Sequence, residues 1–120
     1  MISEAEAILM ELLWQSSPLT TEQLLACVQD SQGWQEGTVK SLLNRLLNKG
    51  AISAERDGRK YRYSPVLERD AYVSEQSTSL LDRLFGGRVA PLVAHFSHHK
   101  KLTTRDRAQL RKLLKELGDE

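Results

Sequence analysis

Between Trp34 and Tyr63 the chain reads WQEGTVKSLLNRLLNKGAISAERDGRKYRY, a stretch compatible with very few folds. Val39, Leu42, Leu43, Leu46 and Leu47 recur at the spacing of one helix face. The opposite face carries Thr38, Lys40, Ser41, Asn44, Arg45, Asn48 and Lys49, all hydrogen-bonding or cationic. Gly50 follows the last periodic residue, where a helix prefers a left-handed glycine. Two short runs come next, separated by Asp57-Gly58, a strong signal for a tight β-hairpin. With Asp57-Gly58 as the two-residue turn, Arg56 faces Arg59, Ala54 faces Tyr61 and Ile52 faces Tyr63. The apolar pairs then share one sheet face, so the register is self-consistent. Like charges directly opposed destabilise a ladder, and an arginine pair at the tip therefore calls for an anion nearby.

The charge distribution supports that requirement. The net charge of +1 conceals a strong asymmetry. Residues 1–30 hold five acids (Glu4, Glu6, Glu11, Glu22 and Asp30) and no Lys or Arg. Residues 31–65 hold seven bases (Lys40, Arg45, Lys49, Arg56, Arg59, Lys60 and Arg62) against three acids. The positive field is concentrated on the helix and the hairpin, as expected where a chain meets nucleic acid. A solvated helix face alone would look similar; the basic hairpin beside it is what tips the reading. A polar-faced helix followed by a basic hairpin is the layout of a winged-helix module. Such a helix is of a size to enter the major groove. Thr38, Lys40, Ser41 and Asn44 would then reach base edges or phosphates, and Arg45 and Lys49 would suit phosphate.

The flanking segments complete the outline. Ser3-x-x-Glu6 is a capping box that opens a first helix with Ala5, Ile8, Leu9, Leu12 and Leu13 on its buried stripe. Ser16-Ser17-Pro18 ends it, and Leu19 can add a brief strand to the hairpin. Thr20-x-x-Gln23 opens a second helix lined by Leu24, Leu25 and Val28, with a turn at Asp30-Ser31-Gln32-Gly33. Cys27 is expected as a small buried thiol among these apolar positions. A single cysteine excludes an internal disulfide. Ser64-Pro65 marks the boundary between a winged helix-turn-helix domain at 1–65 and a helical region at 66–120. In that second region residues 68–85 read as a helix ended by Gly86-Gly87, and residues 88–96 as a shorter apolar segment. Thr103-x-x-Asp106 opens a last helix with a narrow stripe of Leu110, Leu113, Leu114 and Leu117. This region is too thin to build its own core, so a second copy is the expected cover, held through Leu80, Leu84, Leu110, Leu113 and Leu117. The fold class is mainly α.

His95, His98 and His99 raise a metal-responsive alternative, since His95 and His99 stand four apart. No nearby cysteine or carboxylate pair completes a ligand set, and no metal or other cofactor is expected. No ordered nucleophile, base and acid, and no glycine-rich phosphate loop, indicates an enzyme. A winged helix that binds a protein instead of DNA is the rival from another class. No apolar run approaches the roughly 18 residues that span a bilayer, and the acidic N-terminus is not a signal peptide, so a cytoplasmic protein without a membrane partner is expected.

TVKSLLNRLLNKG, DGRKYRYSP, SLLDRLFGG and APLVAHF, in this order and spacing, resemble the penicillinase-repressor (BlaI/MecI/CopY) family across about residues 2 to 117. The resemblance implies a homodimeric transcriptional repressor, an N-terminal winged helix and a dyad DNA operator with TACA/TGTA-like half-sites. Carried over by position, DNA contacts fall on Thr38, Lys40, Ser41, Asn44, Arg45 and Lys49, with wing support from Arg56, Arg59, Lys60 and Arg62. It also implies a sensor protease as partner, with cleavage by position at His95-Phe96. The chain departs from the family in three places. The recognition helix opens Gln35-Glu36-Gly37-Thr38 where Ser-Pro-Lys-Thr is common, and His95 stands where the best-known members have Asn. The C-terminal cysteine pairs of the copper-responsive branch are missing, which gives no support to a thiolate copper switch.

Overall fold

The computed structural model describes residues 1–118. Its chain divides into two compact units, Met1–Val73 and the segment from Ser74 onward. In the first unit α1 (Glu4–Gln15), β1 (Leu19–Thr20), α2 (Thr21–Ser31), α3 (Glu36–Asn48), β2 (Ile52–Asp57) and β3 (Lys60–Pro65) follow in order. The three strands form one antiparallel sheet, ordered β1-β3-β2. The core sits between the helices: Leu9, Met10 and Leu13 of α1, Leu24 and Val28 of α2, Val39, Leu42, Leu43 and Leu46 of α3, and Ala51 and Ile52 at the root of the hairpin. All the apolar positions of α3 named from its period lie on this inward side, four buried and Leu47 partly so.

Local signals set the helix ends. Both expected capping boxes of this unit form: the Ser3 hydroxyl accepts from the Glu6 amide and Thr20 accepts from Gln23, each reciprocated. At the end of α3 the Ala51 amide donates to the Leu46 carbonyl and Gly50 to Leu47, a Schellman closure around Gly50 at φ 73°. Two expectations for α2 are corrected. The helix runs on through Asp30 and Ser31, where the Ser31 hydroxyl bonds the Cys27 carbonyl, and Gln32 caps it. Cys27 is exposed, because the buried stripe is Leu24 and Val28 and position 27 falls round the side of the helix.

The hairpin register is also corrected. Asp57 pairs with Lys60, Arg56 with Tyr61, Ala54 with Tyr63 and Ile52 with Pro65. The loop is thus Gly58-Arg59, and Arg56 does not face Arg59. A type I′ turn at Asp57-Gly58 requires positive φ at both residues, whereas here only Gly58 has it, at 65°. Moving the turn by one residue frees Asp57 to join the ladder opposite Lys60 and to accept from Arg62 Nε at 2.8 Å. An opposed like-charge pair is replaced by an attractive one. The shift carries each partner two positions along, so Ile52, Ala54 and Tyr63 keep their face. Leu19 pairs with Tyr63, the brief strand anticipated from the sequence.

Residues beyond the hairpin tie back to α1. Trp14 Nε1 donates to the Leu67 carbonyl at 2.8 Å, its ring lies 5.5 Å from that of Tyr72, and Arg69 pairs with Glu11 at 3.1 Å.

Among the described residues only one charged side chain is buried. Glu6 is fully enclosed, and Lys49 Nζ donates to its Oε1 at 2.6 Å and to the Met1 carbonyl at 2.6 Å. Burial alone raises the carboxyl pKa, but the bonds from Lys49 and from Ser3 outweigh it and hold Glu6 below the ordinary carboxylate range. A carboxyl lowered in the folded state stabilises fully above its unfolded value of about 4.3, and that stability is lost as pH falls through the lowered folded value. Glu6→Gln should therefore flatten the acid limb of a stability-against-pH curve measured by chemical denaturation. Lys49→Met strips a buried carboxylate of its cation and should cost about 1–3 kcal/mol near neutrality, less than breaking a fully buried pair because Lys49 is itself partly exposed, and less again once Glu6 is protonated.

In the second unit α4 (Arg69–Leu84), which begins in the first, is followed by α5 (Val89–His98) and α6 (Thr104–Glu116). The Thr103–Asp106 capping box forms. From Ser74 to Gly118 no residue is buried. Helix α5 ends in another Schellman closure, Lys101 to the Phe96 carbonyl and Lys100 to Ser97, but the left-handed position is Lys100, at φ 57°. The two caps thus predict opposite outcomes. Gly50→Ala should lose about 1 kcal/mol and Lys100→Gly should gain several tenths, because a Cβ is disfavoured at positive φ. Thermal or denaturant unfolding of the two variants measures both signs.

Candidate nucleic-acid interface

Because the leucines of α3 face the core, its remaining side chains are forced outward. Thr38, Lys40, Ser41, Asn44 and Arg45 are all exposed along one side. The pairing of β1 with β3 draws the start of α2 up to the hairpin, and the three elements enclose a cleft of about 390 Å³. Thr20, Thr21 and Glu22 line it from β1 and α2, Glu36, Lys40 and Asn44 from α3, and Arg59, Lys60, Tyr61 and Tyr63 from the hairpin. The fold thus brings Lys40, Asn44, Arg59 and Lys60 together. Thr38, Ser41, Arg45, Arg56 and Arg62 are exposed outside its lining; Lys49, about one-third exposed, is bound to buried Glu6.

The cations differ in what already holds them. Lys40 pairs with Glu36 at 3.0 Å, Lys60 with Glu22 at 3.3 Å and Arg62 with Asp57 at 2.8 Å, all between exposed side chains. Exposed pairs of this kind are worth little and exchange readily for another anion. Arg56 donates to the Gly58 carbonyl at 3.0 Å and lies 5.8 Å from the Tyr61 ring centroid, which braces the loop. No carboxylate lies within ion-pair distance of Arg45 or Arg59 among the described residues.

Sequence reasoning did not name Thr20, Thr21, Glu22, Glu36, Tyr61 or Tyr63 as members of this surface. The strand at Leu19 was the available signal, since pairing it with the hairpin necessarily carries Thr20 and Thr21 to the same edge. Thr21 begins α2, whose free amides and dipole make its N-terminus attractive to an anion.

The residues assigned to assembly lie elsewhere. Leu80 and Leu84 are exposed on α4, Leu113 on α6 and Leu117 at its cap, while Leu110 is half-buried. Leu92, Val93, Phe96, Leu102, Leu110 and Leu113 line an apolar groove of about 270 Å³ with Asp106 and Gln109. The His95 ring lies 4.5 Å from that of His99 and packs edge-on against Phe85 and Phe96. Among the described residues no three His, Cys, Asp or Glu side chains are grouped to hold a metal, and no helix is long and apolar enough to cross a membrane.

Comparison with known proteins agrees with this geometry. The penicillinase repressor from Bacillus licheniformis is 28% identical over 115 residues, 96% of this chain and 90% of its own. The solution structure of the DNA-binding domain of the repressor BlaI superposes with a TM-score of 0.56 at 29% identity, covering 60% of this chain and 88% of that one. The Bacillus licheniformis BlaI monomer solved in complex with the blaP half-operator gives 0.53 at 29% identity, with the same coverage. The penicillinase repressor family profile matches residues 2–116, and the chain belongs to that family of DNA-binding transcriptional repressors.

Proposed function

We propose that this protein represses transcription as a cytoplasmic homodimer on a dyad operator, each protomer placing α3 in the major groove and the β2–β3 wing along the flanking backbone. The observation that carries the reading is the junction of α3 with the wing: outward-facing polar residues of one helix share a cleft with Arg59 and Lys60 of the hairpin. Ser41 and Asn44 read base edges, while Lys40, Arg45, Arg59 and Lys60 meet phosphate, with Thr38 and the first turn of α2 as neutral donors. Four cations per protomer give about eight neutralised phosphates per dimer, so log K against log salt should have a slope of about −7. Arg45→Ala should make the slope shallower by about 0.9 per protomer on any duplex, whereas substitutions at Ser41 or Asn44 should change half-site preference. A salt-independent anisotropy titration would exclude the DNA reading, including in favour of a protein partner for the same face.

The second unit supports the dimer. Leu84, Leu113, Leu114 and Leu117 are more than half exposed, and a stripe of that kind on α6 needs apolar cover. A second copy supplies it and links two half-sites, which raises affinity through effective concentration. A fragment Met1–Val73 should remain folded, because Trp14, Leu67, Arg69 and Tyr72 stay together in it, yet sediment as a monomer and bind one half-site. Sedimentation of that fragment as a dimer would overturn the interface.

Release of the operator by proteolysis at His95-Phe96 completes the proposal. The bond lies inside α5, with the His95 carbonyl accepting from His99 at 3.1 Å and the Phe96 carbonyl from Lys101 at 2.8 Å. Cleavage therefore requires α5 to open locally, and afterwards α6 with its leucines is no longer joined to α4 by the chain. Lys100→Gly, by stabilising the cap, should slow cutting at this bond. N-terminal sequencing of the protein from host cells treated with a cell-wall-active β-lactam reads the site and the rate; an intact chain with its genes derepressed would exclude this route.

A further inference from the structure

Lys49 ends the polar face of α3 and would ordinarily be counted with the phosphate-binding cations. Its surroundings assign it differently. Glu6 is fully enclosed, and its Oε1 accepts from Lys49 Nζ at 2.6 Å and from the Ser3 amide at 2.7 Å. The carboxylate that closes the first turn of α1 is thus the one that holds the C-cap of α3. Lys49 Nζ is further held by the Met1 carbonyl at 2.6 Å. The other carboxylate oxygen, Oε2, is buried with no hydrogen-bond partner. A buried carboxylate already lacking one partner loses heavily if its single cation leaves, so a phosphate on the surface cannot draw Lys49 away as it can draw Lys40 or Lys60 from solvent-exposed acids.

The location gives this pair its consequence. Lys49 is the C-cap of α3, Gly50 and Ala51 follow it directly, and β2 starts at Ile52. Fixing Lys49 fixes at once the seat of the recognition helix on α1 and the root of the wing. Lys49 is about one-third exposed, so its tether rather than its burial withholds it; Arg45, one turn earlier, is exposed with no such tether and is free to meet phosphate.

We infer that Lys49, pinned by buried Glu6, is a positioning residue that sets α3 and the wing for base reading and contributes no charge to the DNA contact. The inference rests on α3 being the DNA-reading helix. Its test uses the full-length protein and a duplex selected from a random pool by the wild type, with a random duplex as control, titrated across salt at temperatures well below unfolding. Lys49→Met should lose on the order of tenfold in affinity for the selected duplex, comparable to one mismatched base pair, with its salt slope unchanged. Lys49→Arg, which can still bond Glu6, should recover the affinity. If the single variants do not fold, Glu6→Leu/Lys49→Met removes both charges and should show the same weakened selected binding at unchanged slope. A slope shallower by about 0.9 per protomer in either Lys49→Met or the double variant would make Lys49 a phosphate contact and overturn the inference. Undiminished selected affinity in a folded variant would reduce the pair to a merely structural one and overturn it equally. Failure of the wild type to bind any duplex would instead bring down the DNA reading itself, and the inference with it.

Discussion

Burial of one side of α3 is the constraint from which the rest of the first unit follows. Val39, Leu42, Leu43 and Leu46 are almost fully enclosed by α1 and α2, and each such side chain contributes about 1.5–3 kcal/mol through removal from water. The helix therefore cannot rotate about its axis without exposing leucines and burying Lys40, Asn44 and Arg45. The polar, cationic surface proposed to meet DNA is obtained with no energetic term of its own, as the complement of a core. The same packing ends at Ala51 and Ile52, so the wing is rooted in the core that orients the helix.

The first unit was legible in the sequence because its signals are local and mutually consistent. Apolar period, capping boxes and Gly50 all concern residues within a few positions of one another. The miss at the wing has a definite cause. Asp57-Gly58 is a good type I′ pair considered alone, but Gly58 as the first loop residue serves the ladder better by enlisting Asp57 against Lys60 and Arg62. A choice between adjacent turns is decided by side chains across the strands, which dipeptide preference does not weigh. Because the shift preserves parity, the face assignments survived the error.

Other features depended on contacts distant in sequence. Nothing near Glu6 announces that its partner is residue 49, and nothing near Lys49 separates it from Lys40; only the meeting of α1 with the end of α3 does so. Similarly, Thr20 and Thr21 join the cleft through one two-residue strand. In the second unit the helices and the Thr103–Asp106 box were legible, but α5 runs on to His98 and its left-handed cap at Lys100 carried no sequence signal; these helices bury nothing between Ser74 and Gly118. Periodicity reports that a face is apolar and leaves its cover to be supplied by another surface.

The ion pairs of the interface bear on how such a surface discriminates. Lys40 and Lys60 line the cleft with their acids, Glu36 and Glu22, beside them. A phosphate arriving at either lysine replaces a carboxylate, so each new attraction is offset by the loss of an old one and by repulsion from the acid left behind. Among the described residues Arg45 and Arg59 have no carboxylate to give up, and on the proposed reading the net electrostatic gain from any duplex rests largely on them. On that reading nonspecific attraction is restrained, while the hydrogen bonds proposed from Ser41 and Asn44 to base edges would not be affected by the acids in the same degree. A repressor must pick one site among a vast excess of others, and the relevant quantity is the ratio of specific to nonspecific binding. If the cleft is the DNA surface proposed above, acids placed within it favour that ratio by lowering its denominator more than its numerator.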